Sequence, residues 1–268
     1  MANAKYPSVF EAKEQIVDVG KRMYDRNFVA ANDGNISCKI DDNTIIATPT
    51  GVSKGFMTED MMVKMTLDGK VLSAGDLPPS SEVKMHLRVY KENPEVMAVT
   101  HAHPQIATSF AIAGIGLDLP ILTEAVMSLG SVPIAKYATP GTDEVPDSIA
   151  PFCVDYNAVL LANHGALTWG NSLMQAYYRL ESLEYYASIM MYTQNIIGKS
   201  NLLSCEQIQP LMEVRKKLGI SGGGVPACAV CASNDKDVIP ASGPLNDDAQ
   251  MRELVERITR EVMAKMGG

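Results

Sequence analysis

A layered α/β/α domain with a central, largely antiparallel sheet is the fold class this sequence predicts, on three observations. Short apolar runs bounded by turn residues alternate with longer segments whose apolar residues recur every three or four positions. Tight turn signals such as Asp68-Gly69 join successive strands, and only antiparallel neighbours accept so short a connection. With 268 residues, 46% hydrophobic and 20% charged, the chain is large enough for one substantial core.

Ile16, Val19, Met23 and Tyr24 share one helical face, so residues 9–27 are predicted as an amphipathic helix. Asn32-Asp33-Gly34-Asn35 forms a turn, and strands follow at 36–40 and 44–47 around a hairpin turn at Asp41-Asp42-Asn43. Thr48-Pro49-Thr50-Gly51 breaks the next run, and strands at 61–67 and 70–73 flank Asp68-Gly69. Pro79-Ser80-Ser81-Glu82 opens a helix reaching residue 92, with Ser80 or Ser81 as N-cap and Glu82 in the first turn. An apolar strand then ends in His101-Ala102-His103. A helix over 105–113 and strands over 132–137 and 158–162 come next. The longest helical pattern spans 172–197, with Asn171 as its N-cap; its stripe from Leu173 to Met190 suits core packing and a subunit interface alike.

Beyond Leu218 the periodicity stops. Ser221-Gly222-Gly223-Gly224-Val225-Pro226 and Ile239-Pro240-Ala241-Ser242-Gly243-Pro244 predict a flexible linker over 220–244. A final amphipathic helix over 245–268 sets Met251, Leu254, Val255, Ile258, Val262, Met263 and Met266 on one face. Such a stripe needs a partner: its own domain, or another protein as the preferred reading, because a linker separates it from the body, residues 1–219.

The net charge of −8 opposes a nucleic-acid surface, which needs clustered Lys and Arg. No apolar stretch is long enough for a bilayer span and Met1 to Pro7 lacks a secretory core, so a cytoplasmic location is expected. Five cysteines are too scattered for a disulfide framework and reduced thiols are expected; Cys228-Ala229-Val230-Cys231 has redox or zinc spacing but stands alone.

The chemistry centres on the histidines. Alternate residues of a strand share a face, so His101 and His103 aim two of the chain's four imidazoles into one space. A second apolar strand, Leu160-Leu161-Ala162-Asn163-His164-Gly165, ends in a natural third nitrogen ligand. Three such ligands and one exchangeable position define an open site for zinc or a first-row neighbour. Glu82 can act there as a fourth ligand, as an acid/base group, or as both in succession; its plainer use is to complement the helix dipole. His86, one turn after Glu82, is not needed as a ligand, because the other three histidines complete the site. Asn35, Thr50, Gly51, Ser80 and Ser81 sit at turns and helix starts, where backbone N–H groups and short polar side chains can cradle a phosphate. A divalent ion beside that cradle can stabilise an enediolate formed by C–C cleavage of a ketose phosphate.

In order along residues 9–218, Gly34-Asn35-Ile36-Ser37, Thr48-Pro49-Thr50-Gly51, Pro79-Ser80-Ser81-Glu82, His101-Ala102-His103, Tyr137-Ala138-Thr139-Pro140-Gly141-Thr142 and Asn163-His164-Gly165 resemble the class II aldolase/adducin family, and within it the L-fuculose-phosphate aldolase pattern. The resemblance implies one Zn2+ per subunit held by His101, His103, His164 and Glu82, with Glu82 also the acid/base residue in turnover. It implies a substrate phosphate among Asn35, Thr50, Gly51, Ser80 and Ser81, and Tyr137 reaching a neighbouring subunit's site as a proton donor in a homotetramer. The implied reaction splits L-fuculose 1-phosphate or L-rhamnulose 1-phosphate into dihydroxyacetone phosphate and L-lactaldehyde. Pentulose-phosphate 4-epimerisation, methylthioribulose-phosphate dehydration and a non-catalytic adducin-like scaffold are the alternatives on the same fold. Two positions depart from the pattern: Leu218 stands where a tyrosine is expected, and Asn32 replaces a small hydroxyl residue. The segment 245–266 resembles a bacterial microcompartment encapsulation peptide, which implies docking on a shell or cargo protein and a location inside such a compartment.

Overall fold

A computed structural model describes residues 5–226. Ser8 caps α1 (Val9–Asp25) through a capping box with Glu11, and Ile16, Val19 and Met23 turn inward. The chain then makes β1 (Asn35–Lys39), β2 (Thr44–Ala47), β3 (Val63–Thr66) and β4 (Val71–Ser73), an antiparallel meander. Asn43 N–H donates to Asp41 Oδ1 in the first hairpin, and Gly69 takes φ +91° in the last. Next come α2 (Val83–Glu92), β5 (Ala98–Ala102), α3 (Gln105–Ala113), α4 (Thr123–Ser128), β6 (Ile134–Ala135), α5 (Glu144–Ile149), β7 (Ala158–Leu161), β8 (Gly165–Gly170), α6 (Leu173–Met191) and α7 (Cys205–Lys217).

The strands form one sheet in the order β4-β3-β2-β1-β5-β8-β7-β6, antiparallel throughout except for the β6–β7 pair. Period-two alternation divides the core. Ile36, Cys38, Ala98, Ala102 and Ala166 pack with α1, α3 and α6; Val99, Leu167 and Trp169 pack with Val83, Met85, Val89 and Tyr90 of α2 and with Val145 and Ile149 of α5. The result is the expected three-layer α/β/α domain.

Several local readings change. Helix α2 begins one residue later than expected, so Glu82 itself occupies the N-cap position. Ser172, not Asn171, caps α6 by accepting from Gln175 N–H, and the helix ends in a π turn at Tyr192–Ile196. The strand expected over 132–137 shrinks to Ile134–Ala135 at the sheet edge. Strand β8 and helices α4, α5 and α7 were not foreseen; α5 carries a proline in its first turns and α7 one in its interior, which dilutes their helical signal. Cys38 and Cys153 are buried free thiols as expected, whereas Cys205 is disulfide-bonded.

The start of the expected linker lies against the body. Ser131 N–H donates to Gly223 O, Gly223 and Gly224 N–H both donate to Asp155 O, Asn157 Nδ2 donates to Ser221 O, and buried Arg215 reaches Gly222 O. The remainder of that linker, Cys228, Cys231 and the helix expected over 245–268 lie outside the described residues. No helix among the described residues is long and apolar enough to cross a membrane.

Candidate metal centre

β5 lies mid-sheet between β1 and β8, with His101 opposite Asn35 on one side and Leu167 on the other. His101 and the next alternate residue, His103, therefore project from the face covered by α2. His103 N–H donates to Phe28 O at 2.8 Å, which keeps the chain extended past the strand end. His164 comes from the β7–β8 hairpin, where Asn163 adopts φ +58°, a left-handed conformation tolerated by Asn. Gly165 follows because a Cβ there would lie 2.5 Å from His103 Cδ2 and 2.6 Å from Ala102 O. Gly34 likewise lets its loop pass His101: φ is +78° and a Cβ would stand 2.9 Å from His101 O.

The three rings converge, with centroids 4.8 to 4.9 Å apart and a potential ligand atom from each lying within 4.8 Å of the others. His101 Nδ1 lies 2.9 Å from Ala166 O and His103 Nδ1 lies 3.3 Å from Asp33 Oδ2. Donation at both contacts leaves two Nε2 lone pairs facing each other at 3.1 Å. Two lone pairs so close repel unless a cation lies between them. Two nitrogens on one tetrahedral zinc at about 2.05 Å stand about 3.4 Å apart, close to what is found. Burial holds the His101 imidazole well below its usual range and lowers His103 too, so both are neutral, as metal ligands must be. The donor set thus fits a divalent metal.

Glu82 completes the cluster, its Oε1 3.0 Å from His164 Nε2 and its Oε2 3.6 Å from His101 Nε2. Burial pushes its carboxyl up, but the hydrogen bond with His164 pulls it down, and the net direction is below the usual carboxylate range, so it is ionised. Asn35 Nδ2 donates to Glu82 Oε2 at 2.9 Å and lies 3.4 Å from Ser80 Oγ, which accepts from Glu82 N–H.

The other expected residues gather around this core. A bridge between Pro49 and Pro79 brings the Thr50-Gly51 turn, exposed and with φ +76° at the glycine, beside half-buried Ser80 and exposed Ser81. Gly141 and Thr142 line a crevice with Ser81 and Glu82, so the loop after β6 reaches the rim. Tyr137, on that loop, is 63% exposed in the single chain. His86 stands outside the cluster, bonded instead to Ser37.

Two residues were missed from sequence. Asp33 orients His103 from the Asn32-Asp33-Gly34-Asn35 turn, where an acidic residue is ordinary punctuation. Lys54, just after the Thr50-Gly51 turn, resembles a solvated charge, yet it is 1% exposed and donates to Asn32 O and Val52 O at 2.9 and 2.7 Å.

Residues 14–191 match the model of the class II aldolase and adducin N-terminal domain. A 3-oxo-tetronate 4-phosphate decarboxylase of Pectobacterium atrosepticum is 34% identical over 192 residues, covering 70% of this chain and 87% of the relative. An L-fuculose phosphate aldolase of Methanococcus maripaludis is 30% identical over 182 residues, covering 68% of this chain and 97% of the relative. A solved L-fuculose 1-phosphate aldolase superposes with TM-score 0.72 at 30% identity, covering 80% of this chain and all of its own. With these matches resting on the same three-layer domain that carries the histidine cluster, the chain belongs to the class II aldolase and adducin family.

Proposed function

We propose that this chain is a zinc-dependent lyase that cleaves L-fuculose 1-phosphate or L-rhamnulose 1-phosphate to dihydroxyacetone phosphate and L-lactaldehyde. The observation that carries it is the convergence of His101, His103 and His164 on an ionised Glu82 beside a polar rim. His101, His103 and His164 would hold a divalent ion, which would supply Lewis-acid polarisation of the substrate carbonyl and stabilise the charge left by C–C cleavage. Asn35, Thr50, Gly51, Ser80 and Ser81 receive the phosphate. In the cleavage the C3–C4 bond breaks, its electron pair passes toward the C2 carbonyl, and one proton moves in net from the C4 hydroxyl to C3. Glu82 handles the carbon end of that transfer, and Tyr137 from a neighbouring copy of the chain handles the oxygen end. The exposure of Tyr137 leaves it accessible to a neighbouring copy, as the proposed homotetramer with sites at subunit contacts requires. A scaffold has no need of three convergent imidazoles, and the aldolase role of Tyr137 favours cleavage over epimerisation or dehydration.

The decarboxylase relatives support a second reading. In a 3-oxo-tetronate 4-phosphate the carboxylate is lost from the carbon next to the ketone. Protonation there also yields dihydroxyacetone phosphate. The site needs the same metal, phosphate grip and Glu82, but no residue to take a hydroxyl proton, so Tyr137 is dispensable. The discriminating experiment gives zinc-loaded protein each ketose 1-phosphate and the oxo acid while following dihydroxyacetone phosphate. Release from either ketose phosphate, lowered about hundredfold or more by Tyr137→Phe, is expected. Release from the oxo acid alone, with carbon dioxide, would establish the decarboxylase, and release from none would reject both.

The segment 245–266 has the charge and apolar pattern of a docking helix. Its proposed role is to attach the enzyme to a microcompartment shell or cargo protein, where a reactive aldehyde product would be retained.

A further inference from the structure

Two polar atoms beside Glu82 are buried without a hydrogen-bond partner: Asn35 Oδ1 and His86 Nε2, on residues 2% and 1% exposed. Leaving such atoms unpaired costs about 1–3 kcal/mol each. Asn35 lies on β1 and His86 on α2, which packs against that strand. Asn35 and Ser37 leave β1 on the same side, and Glu82 and His86 stand one turn apart on α2. Asn35 Nδ2 meets Glu82 Oε2 at 2.9 Å, and Ser37 Oγ meets His86 Nδ1 at 2.8 Å, so the two pairs are locked in register.

The protons follow from the rest of the network. Ser37 Oγ also lies 2.8 Å from Tyr90 Oη. Burial keeps His86 neutral, its imidazole lowered to about 3, so the ring carries one proton. When Tyr90 donates to Ser37 and Ser37 donates to Nδ1, each hydroxyl proton has an acceptor and the ring proton lies on Nε2. The reverse direction leaves the Tyr90 proton seeking another acceptor and leaves Nε2 a bare lone pair. The first arrangement makes Nε2 a buried donor, of the opposite kind to the buried acceptor Asn35 Oδ1.

We propose that His86 is a positioning residue: its Nε2–H reaches Asn35 Oδ1 through one buried water, and so fixes the Asn35 amide with Nδ2 turned onto Glu82. This deepens the proposed function, resting on Glu82 as the acid/base group. The amide of Asn35 rotates about a broad torsion, and without a partner for Oδ1 it can turn oxygen toward the carboxylate. Glu82 would then face a repelling dipole and lose its orientation toward the substrate carbon. His86 touches neither metal nor substrate in this scheme.

Neutron diffraction from the deuterium-exchanged full chain reads the proton directly. Deuterium on His86 Nε2 with Asn35 Nδ2 facing Glu82 is expected; deuterium on Nδ1, or Asn35 with its oxygen toward Glu82, would overturn the proposal. This arm needs no turnover, so it stands or falls separately from the choice of substrate. In kinetics, with whichever substrate releases dihydroxyacetone phosphate, His86→Leu should lower kcat about tenfold to a hundredfold with KM and zinc content little changed. His86→Gln, which restores an N–H donor, should recover most of that loss. A His86→Leu protein with lowered thermal stability but unaltered kcat, or a failure of Gln to recover more than Leu, would assign His86 a packing role only.

Discussion

Lys54 shows how much one buried side chain can carry outside the histidine cluster. Burial lowers its ammonium to about 8 against a usual 10.5, although Asp33 and Glu82 pull it the other way. Its two carbonyl acceptors belong to the loop before β1 and the turn at Thr50-Gly51-Val52, so it ties together two segments that border the site. The folded protein releases this proton more readily than the unfolded chain. Between pH of about 8 and 10.5 the unfolded state therefore binds more protons, and stability from this group rises with pH, by about 3 kcal/mol at most. That stabilisation is lost as pH falls through 8. Urea unfolding across this window should show a rise in the wild type that Lys54→Met lacks; parallel curves for the two proteins would mean that Lys54 is not held in its buried place. At this scale the grouping of His101, His103 and His164 was legible in sequence because strand alternation and a strand-ending histidine are local patterns. Asp33 and Lys54 were not, since their roles depend on loops that meet only after folding.

At the scale of elements, the centre depends on how closely β5 and the β7–β8 hairpin approach. Gly165 begins β8 opposite Leu161, and the absence of its side chain makes room for the His103 ring and the Ala102 carbonyl together. Neither the strand nor the ring can yield freely, because His103 is also held by the Phe28 carbonyl and Asp33. Gly165→Ala should displace His103, weakening zinc affinity at least about tenfold while leaving the far sheet edge intact. Zinc per chain after dialysis against a weak chelator, measured by mass spectrometry, provides the check, and full retention would contradict this packing argument. In sequence this glycine allows a sharp turn or a close approach; that His103 is the group approaching it is a tertiary fact. The same limit explains β8, whose Gly165-Ala166-Leu167-Thr168-Trp169-Gly170 begins and ends in glycine and is formed by pairing on both sides rather than by strong strand propensity. Helix α3 draws its stop from Gly114 and its start from a distant residue: Glu184 of α6 accepts from Ile106 and Ala107 N–H, a cap invisible to local pattern.

For the whole molecule the open question is where the body ends. Compositionally the domain closes at residue 219 and a linker begins, since three consecutive glycines and a proline carry no periodicity. The structure instead uses that conformational freedom to lay residues 221–224 along the segments that hold Ser131, Asp155 and Asn157, with Arg215 beneath. Gly223 takes φ +92°, and a Cβ there would strike the Leu129 carbonyl 2.3 Å away, so glycine serves close approach here and not slack. Buried Arg215 makes this segment matter, because removing Gly222 leaves one of its acceptors missing while the Val126 carbonyl at 3.1 Å remains. A chain ending at residue 219 should therefore melt several degrees below one ending at 226, with Arg215→Met narrowing the gap by removing the stranded charge. Equal melting temperatures would return the boundary to 219. The chain ending at 226 should also match the full-length protein in zinc content and turnover, since every residue assigned to the centre precedes the cut. Loss of co-purification with microcompartment shells in that same truncated protein would assign the remaining segment to docking, and unchanged co-purification would remove that role.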